Sequence, residues 1–272
     1  MTDLAACLSG WHPEPLVEHD DMGSAESSHF AALLDSPPPD NGLLPPLWHW
    51  FHFLKWPAQR DIGLDGHPAN GHFLPPIPDR RRMFAGGRVT VERPLELEVP
   101  ADRHVSLRNA VVKHGRSGEM AFITVRSEYR QNGELCVLED QDHVYRSGDG
   151  PARSFNAPSG ELPDATWQSS PVVDQSLLFR FSAITANSHR IHYDEPYTRN
   201  VEGYPGLVVH GPLLVLLMLE LVRDRQVTSV DYRLQHPVFL GDSFRVIGEP
   251  AGDLAVVSPG GTKNAVAKVR FQ

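Results

Sequence analysis

Leu213 to Leu221 reads LLVLLMLEL, a helical stretch that is apolar nearly all round. A helix of that kind has no face to give to water and must be surrounded by protein. It cannot serve as a membrane span, because the apolar run ends at Val222 and a span needs roughly 20 residues. His210-Gly211-Pro212 precedes it, and Pro suits a first helical turn, so the helix is expected from about Gly211 to Arg223. Strand-like segments follow: Ser229–Leu234, Ser243–Gly248, Leu254–Ser258 and Ala265–Phe271. A strongly curved antiparallel sheet wrapped around one central helix buries such a segment on every side. That is the hot-dog arrangement.

The first half has the same order of elements. Ser27–Leu34 has a short helical pattern, and Leu47–Leu54, LWHWFHFL, is a dense aromatic patch expected in the core or at a pocket wall. Residues 61–87 form a long Gly/Pro loop that contains Arg80-Arg81-Arg82, and loops of that length tend to be functional or to pack as lids. Strands are expected at Val89–Val91, Leu95–Val99, Val105–Val112, Ala121–Tyr129 and Leu135–Tyr145, with hairpin turns at Arg116-Ser117-Gly118 and Gln131-Asn132-Gly133. Residues 147–172 are polar and rich in Gly, Ser and Pro, as a linker is. Ser176–Phe181 alternates like a strand. The 272 residues suffice for two units of about 100–150 each. The expected fold class is α+β, a double hot dog: 1–146 as a binding scaffold, 147–172 as linker, and 173–272 as the catalytic unit.

A net charge of -9 argues against nucleic acid as a partner, although local arginines remain able to meet a phosphate. Cys7 and Cys136 make neither a disulfide framework nor a metal motif, and Cys136 falls in a strand-like alternation. The opening MTDLAACLSGWHPEP lacks a basic n-region. These features lead us to expect a cytoplasmic protein without membrane attachment.

The polar loop before the central helix carries the chemistry. His189, His192 and His210 surround Asn187 and Asp194. An imidazole beside a helix start places proton transfer next to a donor site for a developing oxyanion. Zinc on His189, His192 and Asp194 is the rival, but the spacing is loose and no Cys or Glu completes the set. No metal is expected. Asp194 has two possible roles, orienting His192 or capping the next turn.

Ala186-Asn-Ser-His-Arg-Ile-His192 resembles the G-D-x-N-P-I-H motif of the MaoC-like, or (R)-specific enoyl-CoA hydratase, family, and Val209-His210-Gly211 resembles its V-H-G. The departures (Ala186, Asn187 for Asp, His189-Arg190 for Asn-Pro) are similar to the type 2 3-hydroxyacyl-thioester dehydratases and the mesaconyl-/itaconyl-CoA hydratases. GHFLPPIPDRRRMFAGG at 71–87 is similar to a phrase in that subfamily. The likeness spans most of residues 45–250.

It implies His192 as the proton shuttle, Asn187 as a water-positioning amide, and Gly211 N–H on the thioester oxygen. An amide cannot accept a proton, so Asn187 can only orient water. Substrate contacts are expected from Arg190, Tyr193, Tyr204, Gly206, Val208, His210 and Arg82. For Arg190 a structural ion pair is weighed equally. The implied activity is hydration of an α,β-unsaturated acyl-CoA, the coenzyme A being part of the substrate and no further cofactor being needed. Itaconyl- or mesaconyl-CoA, giving citramalyl-CoA, is preferred because Arg80–Arg82, Arg190 and Arg199 are a surplus suited to a second carboxylate. A fatty-acid dehydratase and a non-catalytic acyl-CoA-binding module are the alternatives. A homodimer is expected.

Overall fold

The structure is a computed structural model that describes residues 2–115, 118–148, 155 and 158–272. The first half contains α1 (Leu4–Ser9), β1 (Leu16–Asp20), α2 (Ser24–Leu33), β2 (Arg80–Val91), β3 (Ala101–Gly115), β4 (Gly118–Gln131) and β5 (Glu134–Ser147). The second contains β6 (Trp167–Ser169), α3 (Gln175–Ile184), α4 (Glu195–Asn200), α5 (Gly211–Glu220), β7 (Val227–Leu234), β8 (Arg245–Gly248), β9 (Asp253–Val257) and β10 (Lys263–Phe271). No helix among the described residues is long and apolar enough to cross a membrane.

All ten strands join one antiparallel sheet in the order β1-β3-β4-β5-β2-β7-β10-β9-β8-β6. The seam between the halves is β2 against β7, with Gly87 opposite Tyr232. Glycine is needed there, since a Cβ on Gly86 would sit 2.4 Å from the Tyr232 carbonyl oxygen and one on Gly87 2.6 Å from the Asp140 carbonyl. Helix α5 packs on β8, β9 and β10, and Leu213 through Met218 are all buried. In the first half the aromatic patch forms a 3-10 turn, Trp48–Phe51, in the same continuous core. Cys136 is a buried thiol on β5.

Three expectations need correction. Ser176–Phe181 belongs to helix α3. Its buried residues, Leu178, Phe181 and Ser182, recur at helical spacing, and Asp174 Oδ1 caps the start on Leu177 N–H at 2.8 Å. Arg80–Arg82 begin strand β2 rather than lying in a loop, because pairing with Tyr145–Ser147 of β5 overrides the weak strand preference of three cations. Leu95–Val99 is no strand: the Gln131 side chain bonds Glu96 N–H and the carbonyls of Glu96 and Val99, occupying the backbone groups a ladder would use.

The expected turn at Arg116-Ser117-Gly118 lies partly outside the described residues, although Gly115 faces Gly118 across the β3–β4 ends. At the other hairpin, Asn132 and Gly133 both have positive φ, 52° and 79°, as a two-residue β-turn of the twisted-hairpin type requires. Within the expected linker, residues 149–154 and 156–157 also lie outside the described residues, and β6 falls inside its far end.

Candidate active site

Helix α3 ends in a hydrogen-bonded hook. Ala186 takes the left-handed conformation (φ 49°), its N–H bonds Ala183 O at 3.3 Å, and Asn187 N–H reaches back to Ser182 O at 2.9 Å. This pair of bonds is the Schellman helix stop, and it turns Asn187 off the helix axis. Asn187 Oδ1 accepts from His189 N–H at 3.1 Å. Since a backbone N–H needs an acceptor, the amide orientation is fixed and Nδ2 is left as a donor.

His192 closes the short 3-10 turn Arg190–His192 and is buried. Its Nδ1 lies 2.7 Å from the Val208 carbonyl, which can only accept. The proton therefore sits on Nδ1 and the lone pair on Nε2. Burial lowers its pKa to about 4, against the smaller opposing effect of the Val208 bond. His210 stacks on it at 3.6 Å and 18°, with Nε2 2.9 Å from Ser182 Oγ. Burial, then the neighbouring His192 and His189, hold His210 well below the ordinary range. His189, 5.5 Å from His192, is lowered to about 2 by burial, then by His67 and His192. Three imidazoles in one buried cluster cannot all carry charge, and at neutral pH these three are bases. His210 packs against His192 and is fully buried.

Gly211 opens α5, where first-turn N–H groups have no intrahelical acceptor and the dipole favours negative charge. A Cβ there would come within 2.2 Å of Leu234 Cδ1, so packing as well as access favours glycine. Val208 serves through its backbone: its N–H bonds Ile191 O at 2.9 Å and its carbonyl holds His192. Gly206 is buried beside it. Tyr193 is 47% exposed and ties its OH to Ser188 O at 3.0 Å, while Tyr204 packs on Phe239.

The arginines are mostly committed. Arg190 sends Nε and Nη2 to Asp194 Oδ2 at 3.0 and 2.8 Å and Nη1 to Leu64 O at 2.9 Å, with its guanidinium over Tyr197. Of the two roles weighed for Arg190, its contacts are those of the structural ion pair. Asp194 Oδ1 meanwhile caps α4 on Tyr197 N–H at 3.1 Å, so it caps and does not orient His192. Arg80 staples the Pro75 and Ala69 carbonyls, Arg81 pairs with Glu202, and Arg199 pairs with Glu195. The surplus of free arginines inferred from the sequence is thus not there at these four positions. Arg82 differs, because its neighbour is His143 Nε2. Burial, then Arg82 itself, keeps His143 neutral, so Arg82's partner carries no charge.

The first half also brings residues that the sequence reading passed over. The loop 63–67 docks on the loop 187–192 through Arg190 N–H to Asp65 O at 2.8 Å and Ser188 Oγ to Gly66 O at 2.5 Å. His67 thereby stacks on His189 at 4.0 Å. The available signal was an Asp-Gly-His tripeptide inside a long Gly-rich loop. The set weighed for zinc does not assemble, because Asp194 and His192 are each occupied elsewhere. Among the described residues, Asp65, His67 and His189 present polar atoms within 4.8 Å of one another, but Asp65 and His67 are already bonded to each other. Two surface hollows, one beside Arg88, Asp231 and Lys268 and one beside Asp174 and Leu240, involve none of this chemistry.

Residues 47–240 match the family model for hydroxyacyl-thioester dehydratase type 2. The chain is 45% identical over 258 residues to the mesaconyl-C(4)-CoA hydratase of Chloroflexus aurantiacus, covering 91% of each. It is 26% identical to the mitochondrial type 2 hydroxyacyl-thioester dehydratase of Schizosaccharomyces pombe, covering 78% of this chain and 79% of that one. The fold matches HtdX of Mycobacterium tuberculosis with a TM-score of 0.68 at 14% identity, over 95% of this chain and 100% of that one. It also matches a MaoC-like dehydratase from Phytophthora capsici with a TM-score of 0.68 at 12% identity, over 100% and 99%. The hot-dog fold, the histidine-lined helix start and these matches together make the chain an acyl-CoA hydratase/dehydratase that belongs to the type 2 hydroxyacyl-thioester dehydratase family of MaoC-like proteins.

Proposed function

We propose that the enzyme adds water reversibly to a C5 dicarboxylic enoyl-CoA, with mesaconyl-C4-CoA as substrate and citramalyl-CoA as product. The observation that carries the substrate class is the 45% identity to a mesaconyl-C(4)-CoA hydratase, spread over 91% of both chains. Arg82 supports it, being a cation near His189 whose partner is a neutral imidazole. A carboxylate left unpaired in a half-buried site would be costly, and a guanidinium is suited to holding it.

The chemistry follows from the atoms. Asn187 Nδ2 donates to a water and orients it. His192 Nε2 takes the water's proton as its oxygen bonds the β-carbon. Electrons move through the α-carbon to the thioester oxygen, where Gly211 N–H meets the developing charge. The α-carbon then takes a proton. No cofactor enters, because coenzyme A is part of the substrate. This route needs a double bond conjugated with the thioester. Mesaconyl-C4-CoA has it, whereas itaconyl-CoA acquires it only after a proton moves from the α-carbon to the terminal methylene, so itaconyl-CoA is the slower substrate in this scheme.

The test is kcat/KM for mesaconyl-C4-CoA, itaconyl-CoA and crotonyl-CoA. A preference of about 100-fold or more for mesaconyl-C4-CoA over crotonyl-CoA is expected, corresponding to about 2.7 kcal/mol of transition-state discrimination, and it should collapse in Arg82→Met. Equal turnover of crotonyl-CoA and longer enoyl-CoAs would replace this reading with a fatty-acid dehydratase, which the Schizosaccharomyces pombe relative favours. Turnover of none would favour an acyl-CoA-binding module. The same reading expects a cytoplasmic homodimer, checked by fractionation and by light scattering.

A further inference from the structure

We propose that the Asp65–His67 pair of the first half supplies the proton that the α-carbon receives, so that the active site is completed by both halves of the chain. The proposal rests on the hydration chemistry above, which needs an acid as well as a base. At rest none of the catalytic-loop groups offers an acid, so the rival source is the water proton that His192 Nε2 gains in the first step. Asn187 has no titratable proton. His192 keeps its Nδ1 proton on Val208 O and offers a lone pair at Nε2. His210 is fully buried against it.

His67 is placed differently. Asp65 grips it twice, accepting from His67 N–H at Oδ1 (3.0 Å) and from Nδ1 at Oδ2 (2.9 Å). That grip fixes the ring through Nδ1 and leaves Nε2 as the nitrogen that can donate. Burial opposes the Asp65 charge, but the hydrogen bonds and charge of His67 outweigh it and lower the carboxyl to about 2. His67 meets the His189 ring and Asp65, and it lies close enough to His143 of β5 and to His192 to act on their charge, while Arg82 acts on the same His189.

The docking of the 63–67 loop is built in. Gly66 has φ +90°, and a Cβ there would sit 1.9 Å from Ser188 O, so only glycine permits the approach. Arg190, whose side chain reaches Leu64 O, and Ser188 tie the loop to the catalytic turn. These contacts serve neither half's sheet. Their effect is to bring His67 to His189, one ring away from His192.

In the forward step the His67 Nε2–H bond breaks as the Cα–H bond forms, and Nδ1–H stays on Asp65. His192 Nε2 has by then gained the water proton. The resting state returns when His192 releases that proton and His67 takes one from solvent.

The experiment measures kcat, KM, Tm and the pH–rate profile of His67→Gln and Asp65→Asn on mesaconyl-C4-CoA and crotonyl-CoA. His67→Gln is expected to lose about 10²–10³-fold in kcat, within the usual range for an acid or base group, with KM changed less than about threefold. Its Tm should stay near wild type. The shape of the pH–rate profile of His67→Gln should differ from that of the wild type. Asp65→Asn should show a smaller loss. A near-wild-type kcat, a loss that tracks a drop in Tm, or an unchanged pH profile would overturn the proposal. So would activity abolished by chelation and restored by zinc alone, which would put a cation at this pair. If the wild type hydrates crotonyl-CoA as well as mesaconyl-C4-CoA, the substrate reading fails while the His67 variants still score this one. A wild type inert on every acyl-CoA overturns both.

Discussion

In the second half the sheet closes on α5, whose buried face from Leu213 to Leu219 carries no polar side chain. In the first half the strands pack on the Trp48–Phe51 turn, and the centre of that contact is a buried carboxylate. Glu139 Oε2 meets His49 Nε2 at 3.0 Å and Tyr129 OH at 3.1 Å, while Oε1 accepts from Trp50 Nε1 at 2.8 Å and Gln141 Nε2 at 2.9 Å. Burial opposes the Glu139 charge, yet His49 and the remaining donors outweigh it and keep its pKa below the ordinary value. An apolar contact loses stability in proportion to the atoms removed, whereas a satisfied polar network fails as a unit when its acceptor goes. The difference explains why the half with the greasy helix announces itself in the sequence and the other does not.

Four substitutions and the pH dependence of the wild type press on that contrast. The largest effect is on activity and belongs to the second half. His192→Ala should lower kcat by about 10²–10⁴-fold, or about 3–5 kcal/mol of barrier, with little change in Tm. Near-wild-type turnover would remove His192 from the mechanism. Because burial holds its pKa near 4, the wild-type acid limb of kcat/KM should lie near pH 4, with the rate lost as pH falls through it. A limb near the ordinary 6.5 would mean that His192 is not the base. The same depressed value has a stability consequence: the unfolded chain takes up the proton first, so stability should decline as pH drops from about 6.5 toward 4.

Next comes the first half's carboxylate. Glu139→Ala strands His49, Trp50 and Tyr129 and should destabilise by about 3–5 kcal/mol in denaturant titration. Under about 1 kcal/mol would show that the network is not cooperative. Leu216→Ala, in the fully buried α5, should cost about 2–5 kcal/mol by the same method, depending on how far the site collapses. A cost smaller than that of a surface change would deny α5 its central place. The smallest effect is stabilising: Ala186→Gly relieves a left-handed alanine at the α3 stop and should raise stability by about 1 kcal/mol. A loss of stability would mean that unfolded-chain entropy outweighs that strain.

The candidate catalytic loop stands out in the sequence because its members are neighbours: Asn187, His192 and Gly211 lie within one loop and the next helix start. Burial of α5 was equally visible, since a helix without a polar face has one solution. Arg190 and Arg82 look alike in sequence, and only their partners separate them: a carboxylate two contacts strong for one, a neutral imidazole for the other. The stretch 176–181 misled because alternation over six residues fits both periods, and the deciding facts were the Asp174 cap and the packing of Phe181 on Phe30 and Phe51.

Sequence alone thus determined what local chemistry fixes: an all-round apolar helix, the antiparallel strands that wrap it, and a histidine-rich turn at its start. The tertiary structure decided which distant groups meet. It set β2 against β7 through two glycines, buried Glu139 among four donors, and carried Asp65 and His67 more than a hundred residues along the chain to His189. The reason is physical. Periodicity and capping act between residues a few positions apart, while contacts between the halves depend on a sheet register that forms only when both halves pair.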